Sequence, residues 1–415
     1  MCQPESEVEC DTLPAGCNDW LFGRRERRVS EVFNEDRRAR QWFTAESERA
    51  PPTIIPAPES RHEPFPLTDL QKAYWLGRGD FFELGNIGCH VYVEVDLSGV
   101  DRRRLQAAWE KLIDRHEMLR AVIRDDGLQQ ILPHTPRYDI KHLDLRDADQ
   151  AKTDFELAAI RSRMSHQLFS PDRWPLFEMR TTELKERTLL HFSCDLLFID
   201  IWSLQILHAE LIQLAYQRTA HLAPLEISFR DYVLTAAQQR NSKSYRRAEQ
   251  YWLRRLETLP AAPKLPLAKN PVAITQPRFV RREAMLDHEV WRKLKSRSAK
   301  ARTSLSGTLL AAFARVLAAW SQSPHFTLNT TLFQRASLHP HVHRLVGDFT
   351  SILLLEVHDG PAVPFDLLVK RMTAQFRSDL KHREYGGLHL LHEIAKLGDP
   401  ERPPSMPVVF TGALA

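Results

Sequence analysis

Glycine is scarce, at 15 of 415 residues, about half the usual frequency of roughly 7%. Phosphate-cradling loops need glycine, and neither GxxxxGKS nor GxGxxG occurs. Cysteine is scarce too. Cys2, Cys10, Cys17, Cys89 and Cys194 are scattered, odd in number and never spaced CxxC. That excludes a disulfide framework and reads as reduced thiols, so a cytoplasmic location is expected. Charge of one sign is also lacking: 57 Lys+Arg against 53 Asp+Glu leaves +4. A nucleic-acid-coating surface is therefore not expected. No run of 18 apolar residues exists, which rules out a simple transmembrane helix, and no membrane partner is expected. The acidic start MCQPESEVECDTL is neither a signal nor a transit peptide. With no GxSxG elbow and no HExxH, a hydrolase triad and a zinc-protease helix both lack support.

What remains is a long chain, 43% hydrophobic and 27% charged. It is able to bury a large core and is long enough for two to three domains. Residues 1–62 read as a leader and linker. Arg24–Arg40 is dense in both charges and reads as a solvated segment or an amphipathic docking helix. Ala50–Pro64 is proline-rich, and each proline fixes φ and removes a donor, so it reads as extended. From Phe65 the periodicities alternate. Helical spacing over Asp69–Leu76, Asp101–Arg115, Lys152–Phe169, Ile201–Tyr216 and Ser228–Glu257 interleaves with strand patterns at Cys89–Leu97, Met118–Asp125, Gln129–Leu132 and Thr188–Cys194. After the proline-rich Leu259–Pro277 the alternation resumes. Strands are expected at Arg281–Leu286, Phe326–Phe333, Ser351–Val357 and a buried Pro407–Thr411. Helices are expected at Glu289–Ala301, Ser306–Ser321 and Asp366–Arg383. The class is α/β or layered α+β, with a first lobe over 63–258, a linker over 259–280 and a second lobe over 281–415.

Two carboxylates stand out. Asp195 and Asp200 flank the apolar run LLFI, between a strand and a helix, with Trp202 and Ser203 following. Buried and unpaired they would be costly. They must be exposed, paired with a cation, or shifted in pKa. Asp200 suits a helix cap or an arginine partner; Asp195 has no such simple local role and reads as lining a site, so both stand as candidate catalytic residues. A second polar cluster holds Asn329, Thr330, Thr331, Gln334 and Arg335, then Gly347–Ser351. It reads as strand alternation and a turn, or as Asn329 and Thr350 pointing into a cleft. Thr411 ends an apolar strand, which by itself is an ordinary place for a β-former. His339, His341 and His343 alternate as metal ligands sometimes do, but Pro340 argues against a rigid frame, so no metal site is expected.

In this order the segments resemble the heterocyclization domain of nonribosomal peptide synthetases, a member of the condensation superfamily. Phe65–Arg78 (FPLTDLQKAYWLGR) is similar to its first motif, FPLTxxQxAYxxGR. Arg115–Arg120 (RHEMLR), with Asp126, Gly127 and Gln129, resembles the second. Asp195 to Asp200, with Ser203, resembles the DxxxxD signature. Asn329–Arg335, Val346–Ser351 and Pro407–Thr411 (PVVFT) resemble three later motifs. The resemblance covers 63–415. It implies two chloramphenicol-acetyltransferase-like lobes set in a V around a tunnel. It also implies upstream and downstream acyl or peptidyl carrier proteins, which bring thioesters on phosphopantetheine arms, and an adenylation domain that loads them. No other cofactor is implied. The reaction joins an acyl group to the amine of Cys, Ser or Thr, then closes the side chain onto the new amide and expels water, as in siderophores.

Residue by residue, the resemblance sets Asp195 and Leu196 where ordinary condensation domains carry two histidines. Asp200 keeps the Asp of that motif and is expected to pair with Arg335. Asn329, Thr350 and Ser203 are expected along the tunnel, and Thr411 in cyclodehydration beside an Asp of a later motif. Two departures weigh on this. Gln334 stands where the family often has Asn. The later Asp motif is absent before Ala415, so the second lobe is expected to be incomplete and its last strand badly buried. The chain is then a piece of a longer synthetase or a non-cyclizing relative. Alternatives are amide formation alone, a carrier-docking module, or a free-standing coenzyme A acyltransferase. Residues 1–62 hold no carrier-type serine motif, so the upstream carrier is expected on another polypeptide. The intact mass of the native polypeptide separates the cases. A mass well above 48.1 kDa is expected of a synthetase piece; a mass at that value sinks the cyclization reading.

Overall fold

The computed structural model describes residues 53–412, apart from 80–84, 86, 98, 218, 275–276 and 361. The charged stretch Arg24–Arg40 lies outside the described residues. The regular elements follow in chain order: β1 Phe65–Pro66, α1 Asp69–Leu76, β2 His90–Asp96, α2 Arg102–Arg115, β3 Ala121–Ile123, β4 Leu128–Ile131, β5 Lys141–Asp144, α3 Gln150–Met164, β6 Phe177–Glu183, β7 Thr188–Asp195, α4 Ile201–Tyr216, α5 Phe229–Gln238, α6 Lys243–Arg255, α7 His288–Lys300, α8 Leu305–Trp320, β8 His325–Phe333, β9 Thr350–His358, α9 Phe365–Leu380, α10 Gly387–Leu397 and β10 Val409–Phe410. The class is mixed α/β. Among the described residues no single helix is long and apolar enough to cross a membrane.

Local chemistry sets the helix starts. Thr68 and Gln71 form a reciprocal capping box at α1. Asp101 accepts the Arg104 N–H at 3.0 Å and opens α2. Ser242 accepts the Tyr245 N–H at 3.0 Å and opens α6. That second cap is why the helical region expected over Ser228–Glu257 is two helices, α5 and α6.

The first core rests on a four-stranded sheet ordered β2-β7-β6-β5, antiparallel except for the parallel pair β5/β6. Side chains alternate across it. Val91, Val93 and Val95 share one face with Leu190, Phe192 and Cys194. There Trp109 of α2 meets Phe177 and Phe192 edge-on, with centroids 5.2 and 5.6 Å apart. The opposite face is polar, and its groups satisfy one another. The Tyr92 hydroxyl bonds Glu94 at 2.7 Å and His191 Nδ1 at 2.8 Å, and Arg161 grips Glu94 at 2.6 and 2.8 Å. Asp195 ends that polar stripe, opposite His90.

The second core surrounds a sheet ordered β10-β8-β9. Leu328, Leu353–Leu355 and Val357 pack with Ala311 and Ala314 of α8 and with Leu368, Val369 and Met372 of α9. The two cores exchange material. Helix α6, which falls within the expected first lobe, gives Ala248 and Trp252 to the second core. Segment 334–349, in the expected second lobe, gives Leu338, Val342, Leu345, Val346 and Phe349 to the first.

Several expectations need correction. Arg281–Leu286 is not a strand; Met285 is 72% and Leu286 53% exposed. A strand needs a partner edge, and this segment has none among the described residues. The helix expected over Lys152–Phe169 stops at Met164, with Ser165 as its cap. The start of Met118–Asp125 lies within a 3₁₀ turn, Glu117–Arg120, before β3. Pro407–Thr411 is not a buried strand. Only Val409–Phe410 pair, at the sheet edge, and Val409 is 48% exposed. Strands β5 and β6 were not anticipated, because FEMRTTE mixes polar and apolar side chains that are nearly all buried.

Trp109 is the largest fully buried side chain of the first core. Trp109→Ala is expected to lower the unfolding free energy by about 3–5 kcal/mol, read by urea titration.

Candidate active site

The site is built where segment 334–349 crosses onto the start of α4. Asp200 precedes α4 and caps it, accepting the Ser203 N–H at 2.6 Å. Arg335, just past the end of β8, reaches the same carboxylate through Nη2 at 3.0 and 3.3 Å. It also donates to Ser203 Oγ at 2.7 Å and to the carbonyls of Val342 and Leu345 at 3.0 and 2.7 Å. Its guanidinium lies over the Phe349 ring, 3.9 Å from the centroid. The Phe349 N–H completes the Asp200 shell at 3.3 Å. Burial pulls the Arg335 pKa down and Asp200 pushes it back, but a guanidinium stays charged throughout.

Ser203, expected along the tunnel, is instead sealed in this latch. Its hydroxyl donates to the Gly347 carbonyl at 2.9 Å and accepts the Gly347 N–H at 3.1 Å. The backbone N–H of Asp200 also donates to the Gly347 carbonyl, at 3.1 Å. Position 347 has no room for more than glycine. A Cβ there would stand 2.3 Å from the ring of Phe229, itself buried.

Asp195 is fully buried and paired with Arg78, the last residue of the Phe65–Arg78 segment. Its Oδ1 also accepts the Leu197 N–H at 2.9 Å. Burial pushes its carboxyl pKa up, against the pull of Arg78. Arg78 is further held by the Phe169 carbonyl at 2.8 Å. Sequence reasoning assigned Arg78 no role. The signal was the cation that closes the Phe65–Arg78 motif.

Asn329 and Thr411 lie elsewhere, at the second sheet, two register positions apart. Val409 pairs with Asn329 and Phe410 with Thr330, and Thr411 Oγ1 lies 2.9 Å from Thr331 Oγ1. Thr411 is exposed, whereas Asn329 Oδ1 is buried with no hydrogen-bond partner among the described residues. Thr350 stands opposite Phe333 at the start of β9. It lines a cleft of ≈ 250 Å³ together with Leu67, Tyr232, Asp348 and Ile352. Ile352 is the cross-strand partner of Thr331, so the hydroxyl pair stands one pair from the cleft wall. Asp348 was missed as an individual residue, although Gly347–Ser351 was singled out.

The histidines after Leu338 form a 3₁₀ turn, Pro340–Arg344, rather than a strand. His339, His341 and Glu226 do gather there. However, His341 Nδ1 accepts the Glu226 N–H at 3.2 Å, and His339 Nδ1 accepts the His341 N–H at 3.1 Å. A ligating imidazole ordinarily donates from its second nitrogen. Here both second nitrogens face donors, so this set does not suit a cation at Nε2.

Removing one partner of the Asp200–Arg335 pair leaves a buried charge, which costs about 3–5 kcal/mol. Asp200→Ala and Arg335→Met are each expected to lose stability of that order and soluble yield. The double variant should lose less than the sum, in a thermodynamic cycle by urea unfolding. Wild-type stability with lost activity in Asp200→Ala would show Asp200 acting on substrate instead.

Comparison with known proteins agrees with this geometry. The condensation domain family matches residues 62–411. Pyochelin synthetase PchE of Pseudomonas aeruginosa is 38% identical over 370 residues, 88% of this chain and 25% of that protein. Phenyloxazoline synthase MbtB of Mycobacterium tuberculosis is 37% identical over 373 residues, 88% of this chain and 26% of that protein. The solved cyclization-docking bidomain of the synthetase EpoB from Sorangium cellulosum superposes with a TM-score of 0.79 at 36% identity. It covers 93% of this chain and 77% of that one. The chain spans 7–29% of the length of the curated relatives it matches. With Asp195 held by Arg78 and Asp200 by Arg335 as described, this chain belongs to the condensation domain family of nonribosomal peptide synthetases.

Proposed function

We propose that this chain is a heterocyclization domain. It joins a carrier-bound acyl or peptidyl thioester to the amine of carrier-bound Cys, Ser or Thr, and cyclodehydrates the product to a thiazoline or oxazoline. One observation carries the reading. The signature Asp195–Asp200 offers no imidazole; Leu196 is apolar, and both carboxylates are engaged by arginines, Arg78 and Arg335. Amide formation at such a centre rests on holding two tethered reactants together, worth about 7–11 kcal/mol in favourable cases. The names of the relatives fit. One is a phenyloxazoline synthase, and the EpoB unit is called a cyclization domain.

Ring closure and loss of water need proton transfers. In this reading the Thr411 hydroxyl, beside Thr331 at the edge of the second sheet, serves that step, and Asn329 and Thr350 position the substrate. Partners are an upstream and a downstream carrier protein bearing phosphopantetheine arms, and an adenylation domain. The product class is a siderophore or related peptide, made in the cytosol where thiols such as Cys89 and Cys194 stay reduced. One observation favours amide formation alone. Among the described residues, the Thr411 hydroxyl meets Thr331 rather than a carboxylate.

The test supplies loaded carriers to the native polypeptide and reads the product mass. Wild type is expected to give a product one water lighter than the open amide. Thr411→Ala should accumulate the open amide, with the cyclized product down about 100-fold. Open amide alone from wild type means an amide-forming domain, and neither product means a docking module.

A further inference from the structure

Asp348 is 1% exposed and lines the ≈ 250 Å³ cleft beside Thr350. Its Oδ1 accepts the Thr350 N–H at 3.0 Å. Its Oδ2 is buried and has no hydrogen-bond partner among the described residues. A buried oxygen left without a partner is uncommon and calls for an explanation. The charged groups near it are Asp200 and Arg335 of the latch, and Arg335 is spent on Asp200 and on backbone carbonyls. From the first lobe, Tyr74 and Cys89 face it, both with pKa values raised, first by burial. No cation is dedicated to Asp348, and a like charge stands near.

We propose that Asp348 is a catalytic acid of the cleft, whose carboxyl hydrogen-bonds through Oδ2 to the substrate oxygen that leaves as water. The inference rests on the heterocyclization reading and adds to it a residue for the dehydration. The step balances as follows. Attack of the side-chain thiol or hydroxyl on the amide carbonyl leaves a tetrahedral carbon bearing a hydroxyl and an N–H. The carboxyl proton passes to that hydroxyl, the C–O bond breaks and water departs. The nitrogen lone pair forms C=N, and the nitrogen's proton returns to the carboxylate. Asp348 is regenerated and no outside reactant is consumed. Burial supports the required protonation state, pushing the Asp348 pKa up to about 8, with Asp200 adding to the push.

The test compares wild type with Asp348→Asn in the native polypeptide, with both carriers loaded. Asparagine keeps the shape and can donate a hydrogen bond, but it cannot give up a proton. Thermal unfolding by circular dichroism reports that the variant is folded, and the open amide is the product it is expected to accumulate. Its cyclized product should fall about 100-fold or more. Wild-type dehydration should decline as pH rises through about 8, because the acid form is lost there. That limb is read on wild type and needs no variant, so it tests the proposal even if Asp348→Asn does not fold. Equal cyclization by the variant, or a wild-type dehydration rate flat from pH 6 to pH 9, overturns the role of Asp348 while leaving heterocyclization standing. A wild type that yields only open amide overturns heterocyclization itself, and this role with it.

The same carboxyl carries a sign for stability. Its proton is held more tightly folded than unfolded, so its contribution is full below the ordinary carboxylate range and is lost as pH rises toward about 8. The melting temperature of Asp348→Asn relative to wild type should therefore climb with pH over that window. A difference that does not vary with pH would overturn the neutral carboxyl.

Discussion

Asp200 satisfies three demands with one carboxylate. It caps α4 through the Ser203 N–H, it receives Arg335 from the far side of β8, and it accepts the Phe349 N–H. Ser203 lies on α4 itself, whereas Arg335 and Phe349 stand at the two ends of segment 334–349. A buried anion is tolerable only with partners on most of its lone pairs. Supplying them forces segment 334–349 down onto the first core, where Leu338, Val342, Leu345, Val346 and Phe349 bury their side chains. The electrostatic requirement and the hydrophobic one therefore point the same way. The start of β9, and with it Asp348 and Thr350, is placed by that docking.

Two aspartates in this region show how surroundings decide chemistry. Asp200 has an arginine and two backbone donors. Asp348 has a single backbone donor, an orphaned second oxygen and a like charge nearby. Asp200 has a dedicated cation in Arg335, whereas burial pushes the Asp348 carboxyl pKa up. Asp195 belongs with the first kind. It closes the polar face of the β2-β7-β6-β5 sheet and spends its charge on Arg78. In the folded chain both carboxylates of the signature are paired with arginines, Asp195 with Arg78 and Asp200 with Arg335.

Much of the fold was legible where the signal is local. Ile201–Tyr216 and Asp69–Leu76 are helices over the residues that their periodicity marks. Between β3 and β4 the chain turns at Asp126-Gly127, with Gly127 at φ +75°, where a side chain is strained. The reading failed where a second segment had to be present. Arg281–Leu286, expected as a strand, has no partner edge among the described residues. The residues of β6, nearly all buried, lack the polar-out alternation of a half-solvated strand. The end of Lys152–Phe169 is set by where Met164 and Phe169 find the core, and periodicity does not record that.

The sequence by itself determined the alternating α/β class, the helix caps and the order of the motifs. These depend on residues within a few positions of one another, where the chain's own geometry sets the contact. It also determined that a centre built on Asp195 and Asp200 lacks an imidazole at Leu196. Only the tertiary structure decided which charges meet. Arg78 finds Asp195 across 117 residues and Arg335 finds Asp200 across 135. It decided too that Ser203 is sealed while Thr350 faces a cleft, and that Asp348 is buried beside it. Burial and charge pairing belong to the assembled surroundings of a side chain, and those surroundings come from parts of the chain that no local pattern connects.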